Sequence, residues 1–150
     1  MYGYVVSTVT SFIDVPGKIS LSIFFSGCSI RCHDCHNKKL WNLDSGKLTG
    51  ADSLIEKIKL NTLIDYVAFM GGEPTDQMEF LIHICKRIKD EIKLPIALYT
   101  GREFEVLPKQ LTDLIDLIIC GPYKKEMHVG GWPASSNQRI FTKRGEQWNC

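Results

Sequence analysis

The sequence predicts an α/β fold, on three observations. Short apolar segments alternate with amphipathic ones, the apolar segments are continuous instead of alternating in polarity, and glycine closes most of them. Continuously apolar strands are buried on both faces, which is the pattern of a parallel sheet covered by helices. At 150 residues the chain is most simply one compact domain, 1–150, long enough to bury a real core.

Each element follows from local signals. Tyr2 to Thr8 reads as a first strand and Ile13-Asp14-Val15-Pro16-Gly17 as a turn. Lys18 to Ser26 offers a second strand around Leu21, Ile23, Phe24 and Phe25, ended by Gly27. Thr49 to Asp52 has the spacing of a capping box, with Leu54, Ile55 and Ile58 as the apolar stripe behind it. Asp65 to Met70 is a short strand that stops at Gly71-Gly72-Glu73-Pro74. Asp76 and Glu79 form a second capping pair before a helix whose stripe is Met78, Leu81, Ile82, Cys85 and Ile88. Leu94 to Thr100 is a strand closed by Gly101, and a short helix near Glu103 to Leu111 precedes the strand Leu114 to Cys120, closed by Gly121-Pro122. The remainder, about 121–150, is less regular and rich in Gly, Ser, Pro and Trp; it is expected to cover a rim or face a partner.

In parallel sheets ligands sit beyond the carboxyl ends of the strands. The cysteine loop, the Gly-Gly-Glu-Pro turn, Tyr99-Thr100-Gly101 and Cys120-Gly121-Pro122 all fall there, so one site is expected. The net charge of +1 gives no reason to expect direct nucleic-acid or anionic-lipid binding. No apolar run is long enough for a membrane span, and the N-terminus lacks the basic start and apolar core of a secretory signal. The six cysteines therefore read as reduced thiols or metal ligands in a cytoplasmic protein.

Cys28, Cys32 and Cys35 fall within eight residues, and thiolates this close together select zinc or iron–sulfur clusters. His33 or His36 would close a Cys₃His zinc site, although no second ligand pair follows later in the chain. The other reading is a 4Fe-4S cube with one iron left free, and a free iron implies an enzyme, because electron-transfer cubes take four cysteines. The residues alone leave both readings open. Of the other cysteines, Cys85 reads as core packing, Cys120 as burial or support of the rim, and Cys150 as a free surface thiol. His83 reads as solvated, and Lys86-Arg87 and Lys124-Lys125 as solvated faces. His128 is a weak ligand candidate, and Trp132 and Trp148 either pack the tail or meet a partner.

Cys-x₃-Cys-x₂-Cys after one strand and Gly71-Gly72-Glu73-Pro74 after the next resemble the radical S-adenosylmethionine superfamily. Asp14-Val15-Pro16-Gly17, the approach Phe24-Phe25-Ser26-Gly27-Cys28, and Cys35-His36-Asn37 followed by Trp41-Asn42 look like the small activases of glycyl-radical enzymes. Gly121-Pro122-Tyr123 and Trp132-Pro133-Ala134-Ser135-Ser136-Asn137-Gln138-Arg139 resemble the C-terminal signature of anaerobic (class III) ribonucleotide reductase activators. Asp34 stands where most of the superfamily has an aromatic residue, and Pro133-Ala134 replace the usual Arg-Gly, so no role of that arginine carries over.

The resemblance implies a partial open (β/α) radical-SAM barrel and a 4Fe-4S cluster on Cys28, Cys32 and Cys35. It also implies S-adenosylmethionine held by the backbone around Asp34, Cys35 and His36 and by Gly71, Gly72, Glu73 and Pro74, with Thr100 a further candidate. Glycine is expected in that turn so that the backbone can approach a ligand closely. The implied reaction splits S-adenosylmethionine reductively to methionine and a 5′-deoxyadenosyl radical, which takes a hydrogen atom from a glycine of the reductase. No catalytic residue beyond the cluster ligands is implied. The implied partners are the anaerobic ribonucleotide reductase catalytic subunit and a flavodoxin-like electron donor. Two rivals remain: an activase of another glycyl-radical enzyme, and a non-catalytic zinc-binding interaction module.

Overall fold

A computed structural model describes residues 1–150. Its strands are β1 (Tyr2–Ser11), β2 (Ser20–Phe25), β3 (Lys47–Gly50), β4 (Tyr66–Gly71), β5 (Ile96–Thr100), β6 (Leu117–Cys120), β7 (Arg139–Arg144) and β8 (Gln147–Asn149). The helices are α1 (Ala51–Leu60), α2 (Met78–Arg87) and the single turn α3 (Lys109–Thr112). The fold is mixed α/β: one eight-stranded sheet in the order β3-β1-β2-β4-β5-β6-β7-β8. No helix is long and apolar enough to cross a membrane.

The expected parallel pairing is found at the centre, where β2, β4, β5 and β6 run side by side. These are the segments that the sequence makes apolar throughout. One face carries Leu21, Ile23, Phe25, Val67, Phe69, Ile96, Leu98 and Ile118 into a core shared with the stripes of α1 and α2. The other face is small and lies under a loop: Ala68, Met70, Ala97, Leu117 and Ile119 gather around Val15. Asp14 pins that loop, since its carboxylate accepts the Ser22 hydroxyl at 2.6 Å and its carbonyl accepts the Tyr99 hydroxyl at 2.5 Å.

The flanks depart from the expected all-parallel sheet. β1 pairs antiparallel with β2 and β3, and β7 and β8 add antiparallel at the far edge. β7 and β8 lie in the stretch that reads as irregular, because what holds them is remote in sequence. Phe141 of β7 stacks on Phe104 at 4.1 Å, and Trp148 of β8 meets the same ring edge-on at 5.6 Å. The expected helix over Glu103 to Leu111 is broken into a 3₁₀ turn, Phe104–Val106, and α3. Pro108 sits between them, where it lacks an N–H and disfavours helical backbone in Leu107.

Neither capping pair forms. Gly50 precedes α1 without a side-chain cap, and the Thr49 hydroxyl donates instead to the Lys47 carbonyl within β3 at 2.9 Å. Asp76 lies in a 3₁₀ turn, Pro74–Gln77, and its carboxylate is taken by other groups. On the solvent face, Arg87 bridges Asp52 of α1 to Glu91 while Lys59 meets Glu91 at 2.7 Å. The hydrogen bonds from Arg87 and then Lys59 hold the Glu91 carboxyl down at about 2. Such exposed pairs contribute little to stability.

Candidate cofactor site

Because β2, β4, β5 and β6 are parallel, their carboxyl ends share one edge of the sheet. A cavity of about 230 Å³ opens there. Cys28, Cys32, Cys35 and His36 line it from the loop after β2, Gly71, Gly72 and Glu73 from the turn after β4, and Thr100 from the end of β5. The strand ends thus bring together most of the expected residues. Asp34 and Pro74 are not among the lining.

The cysteine loop is held at both ends. Gly27 N–H donates to the Leu40 carbonyl at 2.8 Å, Cys28 N–H to the Trp41 carbonyl at 3.0 Å, and Cys35 N–H to the Cys32 carbonyl at 3.1 Å. All three thiols are free. Burial pushes the Cys28 thiol up, opposed in part by backbone hydrogen bonds from Arg31 and Ile30. Arg31 reaches that position in left-handed backbone, with φ of 51°. Asn37 N–H donates to Cys35 Sγ at 3.3 Å. Backbone donors aimed at thiolate sulfur are a means of setting a metal centre's potential.

A second set of contacts, which the sequence does not reveal, latches the loop from outside. Asp76 accepts Ser29 N–H at 2.6 Å, the Ser29 hydroxyl at 2.8 Å and Arg102 Nη2 at 2.6 Å, while Arg102 Nε donates to Thr75 Oγ1 at 2.8 Å. The partners are 26 to 47 residues apart in sequence, so no local spacing could have announced them.

The Gly-Gly-Glu turn is stitched to the end of β2. Gly72 N–H donates to the Phe25 carbonyl at 2.9 Å and Glu73 N–H to the Gly27 carbonyl at 2.7 Å. A Cβ on Gly71, whose φ is +115°, would lie 2.5 Å from the Phe25 carbonyl oxygen, and one on Gly72 would lie 2.2 Å from that of Gly27. The two glycines are therefore also required by the protein's own backbone, independently of any ligand's approach. No protein donor reaches the Gly72 carbonyl, and Gly72 lines the cavity. Gly72→Ala should destabilise the chain by about 3 kcal/mol, as rigid backbone must move. Gly101→Ala should cost about 1 kcal/mol or less, because its Cβ would meet mainly the flexible tip of Ile30 at 2.6 Å. Thermal melts of the two variants check the contrast.

Glu73 is 1% exposed, yet fully paired. Its Oε1 accepts Thr75 N–H at 3.0 Å, the Thr75 hydroxyl at 2.6 Å and the Thr100 hydroxyl at 2.8 Å, and its Oε2 accepts Gly101 N–H at 2.8 Å. The carboxylate ties the end of β4 to the end of β5, and Thr100 spends its hydroxyl on that tie.

The Ser-Ser-Asn-Gln segment folds the chain after β6 back onto the rim. Ser135 N–H donates to Gln138 Oε1 at 3.1 Å, Asn137 Nδ2 to the Pro122 carbonyl at 2.8 Å and Gln138 Nε2 to the Gly121 carbonyl at 3.2 Å. Arg139 anchors the exit through Glu103 at 2.8 Å and Glu105 at 2.6 Å. Tyr123, Ala134 and Gln138 thereby reach the cavity. Tyr99, expected at this rim, is in the lining, while the sequence misses Phe24 and Met70. Strand parity was the available signal: Phe24 and Met70 are register partners, and both lie one residue before the end of their strand. Cys85 and Cys120 are buried in the core and are not among the lining, and Cys150 is exposed. The His36 ring packs on Tyr123 at 4.6 Å and lies 6.3 Å from that of His128.

Over residues 14–141 the chain matches the family described as a 4Fe-4S single cluster domain. An anaerobic ribonucleoside-triphosphate reductase-activating protein of Haemophilus influenzae is 30% identical over 79% of this chain and 84% of its own length. The protein of the same name from Enterobacteria phage T4 is 29% identical over 91% of this chain and 92% of its own. A pyruvate formate-lyase-activating enzyme of Clostridium pasteurianum is 37% identical over 71% of this chain, which spans only 48% of that relative. The crystal structure of QueE from Escherichia coli superimposes with a TM-score of 0.58 at 15% identity, covering 67% of this chain and 52% of that one, and so supports the fold alone.

Proposed function

The chain belongs to the 4Fe-4S single cluster domain family and, within it, to the anaerobic ribonucleoside-triphosphate reductase-activating proteins, and from that membership we propose how its site works. It is a radical S-adenosylmethionine activase that generates a glycyl radical on anaerobic ribonucleotide reductase. The observation that carries the residue assignment is that three free thiols and the Gly-Gly-Glu turn face one cavity.

The donor set fits the cluster: three cysteine thiols line one cavity, and a cube takes each thiolate on a separate iron. Cys28, Cys32 and Cys35 would hold the cluster, which would supply the single electron that splits the sulfonium carbon–sulfur bond. Cys28 must lose its proton on binding, and the Ile30, Arg31 and Asn37 amides compensate thiolate charge. In this reading the Gly72 backbone takes the amino group of S-adenosylmethionine, supported by Gly72, Cys35 and His36 lining one cavity. Glu73 positions that turn instead of moving protons, since all of its hydrogen bonds are to the protein's own donors. The sheet supports the partial, open barrel that such chemistry uses, with its less covered face toward the partner. A flavodoxin-like donor is the proposed source of the electron.

Anaerobic reconstitution tests this reading. It should yield about four irons per chain and a brown chromophore. Incubation with the reductase, a reductant and S-adenosylmethionine should give a glycyl radical signal by electron paramagnetic resonance. One zinc per chain after purification, with no iron uptake, would replace the activase by a binding module.

A further inference from the structure

The cysteine loop hangs on a single distant tether. Of residues 29–34, only Ser29 is hydrogen-bonded to a segment outside the loop, and both its amide and its hydroxyl donate to the Asp76 carboxylate. Asp76 is met in turn by Arg102 Nη2, which also reaches the Ser29 hydroxyl at 3.2 Å. The Arg102 side chain is aimed by its own backbone, whose N–H donates to Thr100 Oγ1 at 3.1 Å and whose carbonyl accepts Gly121 N–H at 3.0 Å. Through Nε, Arg102 holds Thr75 Oγ1, the hydroxyl that donates to Glu73. The planar fork of a guanidinium lets one side chain serve all three oxygens. One network thus joins the residue after Cys28 to the Gly-Gly-Glu turn and to the ends of β5 and β6.

We propose that Asp76 and Arg102 are positioning residues for the cysteine loop, holding its Cys28 end in place before and after the cluster is loaded, an inference that rests on the cluster reading above. The residues from Cys28 to Cys32 belong to no helix or strand, so their place has to be fixed from outside. A carboxylate accepting a backbone amide is a strong, charge-assisted tie for that purpose. A loop ordered beforehand also gives up little conformational freedom when its ligand arrives. The same tie sets the loop against the turn at Gly72, because Thr75 and Asp76 follow that turn directly. Without it the loop should still load, but hold the cluster less firmly. The fold should lose little, since the Asp76 and Arg102 side chains are 21% and 37% exposed and outside the core.

The test compares the full chain with Asp76→Ala, Arg102→Ala, Arg102→Lys and, as a control in the α1 ion pair, Lys59→Ala. Hydrogen exchange read by mass spectrometry on the unloaded chain comes first. The Ser29 amide should exchange about tenfold faster or more in Asp76→Ala. The gain should be smaller in Arg102→Ala, which keeps the Ser29–Asp76 bonds, and absent in Lys59→Ala. Arg102→Lys should follow Arg102→Ala, because an ammonium cannot reproduce the fork. Protection of β4, β5 and α2 should stay at the wild-type level in all four. After anaerobic loading, release of iron to a chelator should quicken in the same order. The change that S-adenosylmethionine makes in the electron paramagnetic resonance spectrum of the reduced cluster should shrink with it. Wild-type exchange at Ser29 in Asp76→Ala, or equal gains in exchange throughout the core, would overturn the proposal. Unchanged iron release from a loosened loop would overturn it as well. A wild-type chain that takes up no iron overturns the cluster reading, a failure that leaves the exchange result standing and is thereby told apart from failure of the tether.

Discussion

Cys32→Ala is expected to abolish reductive cleavage of S-adenosylmethionine while leaving the fold standing. Cys32 is only partly buried and belongs to no helix or strand. Its Sγ accepts no hydrogen bond from the rest of the protein, and only its carbonyl, which the substitution keeps, receives Cys35 N–H. The melting temperature of the unloaded chain should therefore stay within about 2 °C of wild type. Loading should suffer instead. With one iron of the cube lacking a protein ligand, iron content after anaerobic reconstitution should fall well below about four per chain and the brown colour should fade. Iron analysis and circular dichroism on the same sample separate the two effects. Cleavage retained in the variant would remove Cys32 from the ligand set.

Glu73→Ala should have the opposite profile, with a large effect on folding even without a cluster. The substitution leaves the Thr75 amide, the Gly101 amide and two buried threonine hydroxyls without their acceptor. Each unpaired buried donor costs about 1–3 kcal/mol, and partial relaxation should hold the total near 3 to 5 kcal/mol. For a chain of this size that lowers the melting temperature by roughly 6 to 15 °C. Glu73→Gln keeps the shape but turns an amide nitrogen toward a donor, and should cost about 1 to 2 kcal/mol. Thermal melts of the unloaded protein give both values; a Glu73→Ala melt indistinguishable from wild type would mean that the carboxylate does not tie β4 to β5.

The contrast between these residues mirrors what the sequence could and could not reveal. β2, β4, β5 and β6 were legible because each is an apolar run that packs on both faces, and the glycines after them marked the edge where the site forms. The thiol cluster was legible because its ligands are local. Contacts made across the fold were not. The spacing of Asp76 and Glu79 suggests a cap, but Ser29 and Arg102 claim the Asp76 carboxylate from distant segments. Thr49 likewise has the spacing of a cap and is instead drawn into β3 by pairing with Gly3. β7 has mostly polar side chains apart from Ile140 and Phe141, so its place in the sheet depends on Phe104 and on pairing with β6. The sequence puts Tyr99 at the rim, but only the fold shows its hydroxyl joining Asp14 to Trp132.

The clash that any side chain at Gly71 or Gly72 would make with the preceding strand also bears on ancestry. Selection for folding alone would keep both glycines, whether or not a nucleoside is ever bound. In a lineage that abandoned redox work and kept the scaffold, the thiols would be free to drift while the glycine pair persisted. The glycines record the architecture; the cysteines record the trade it practises.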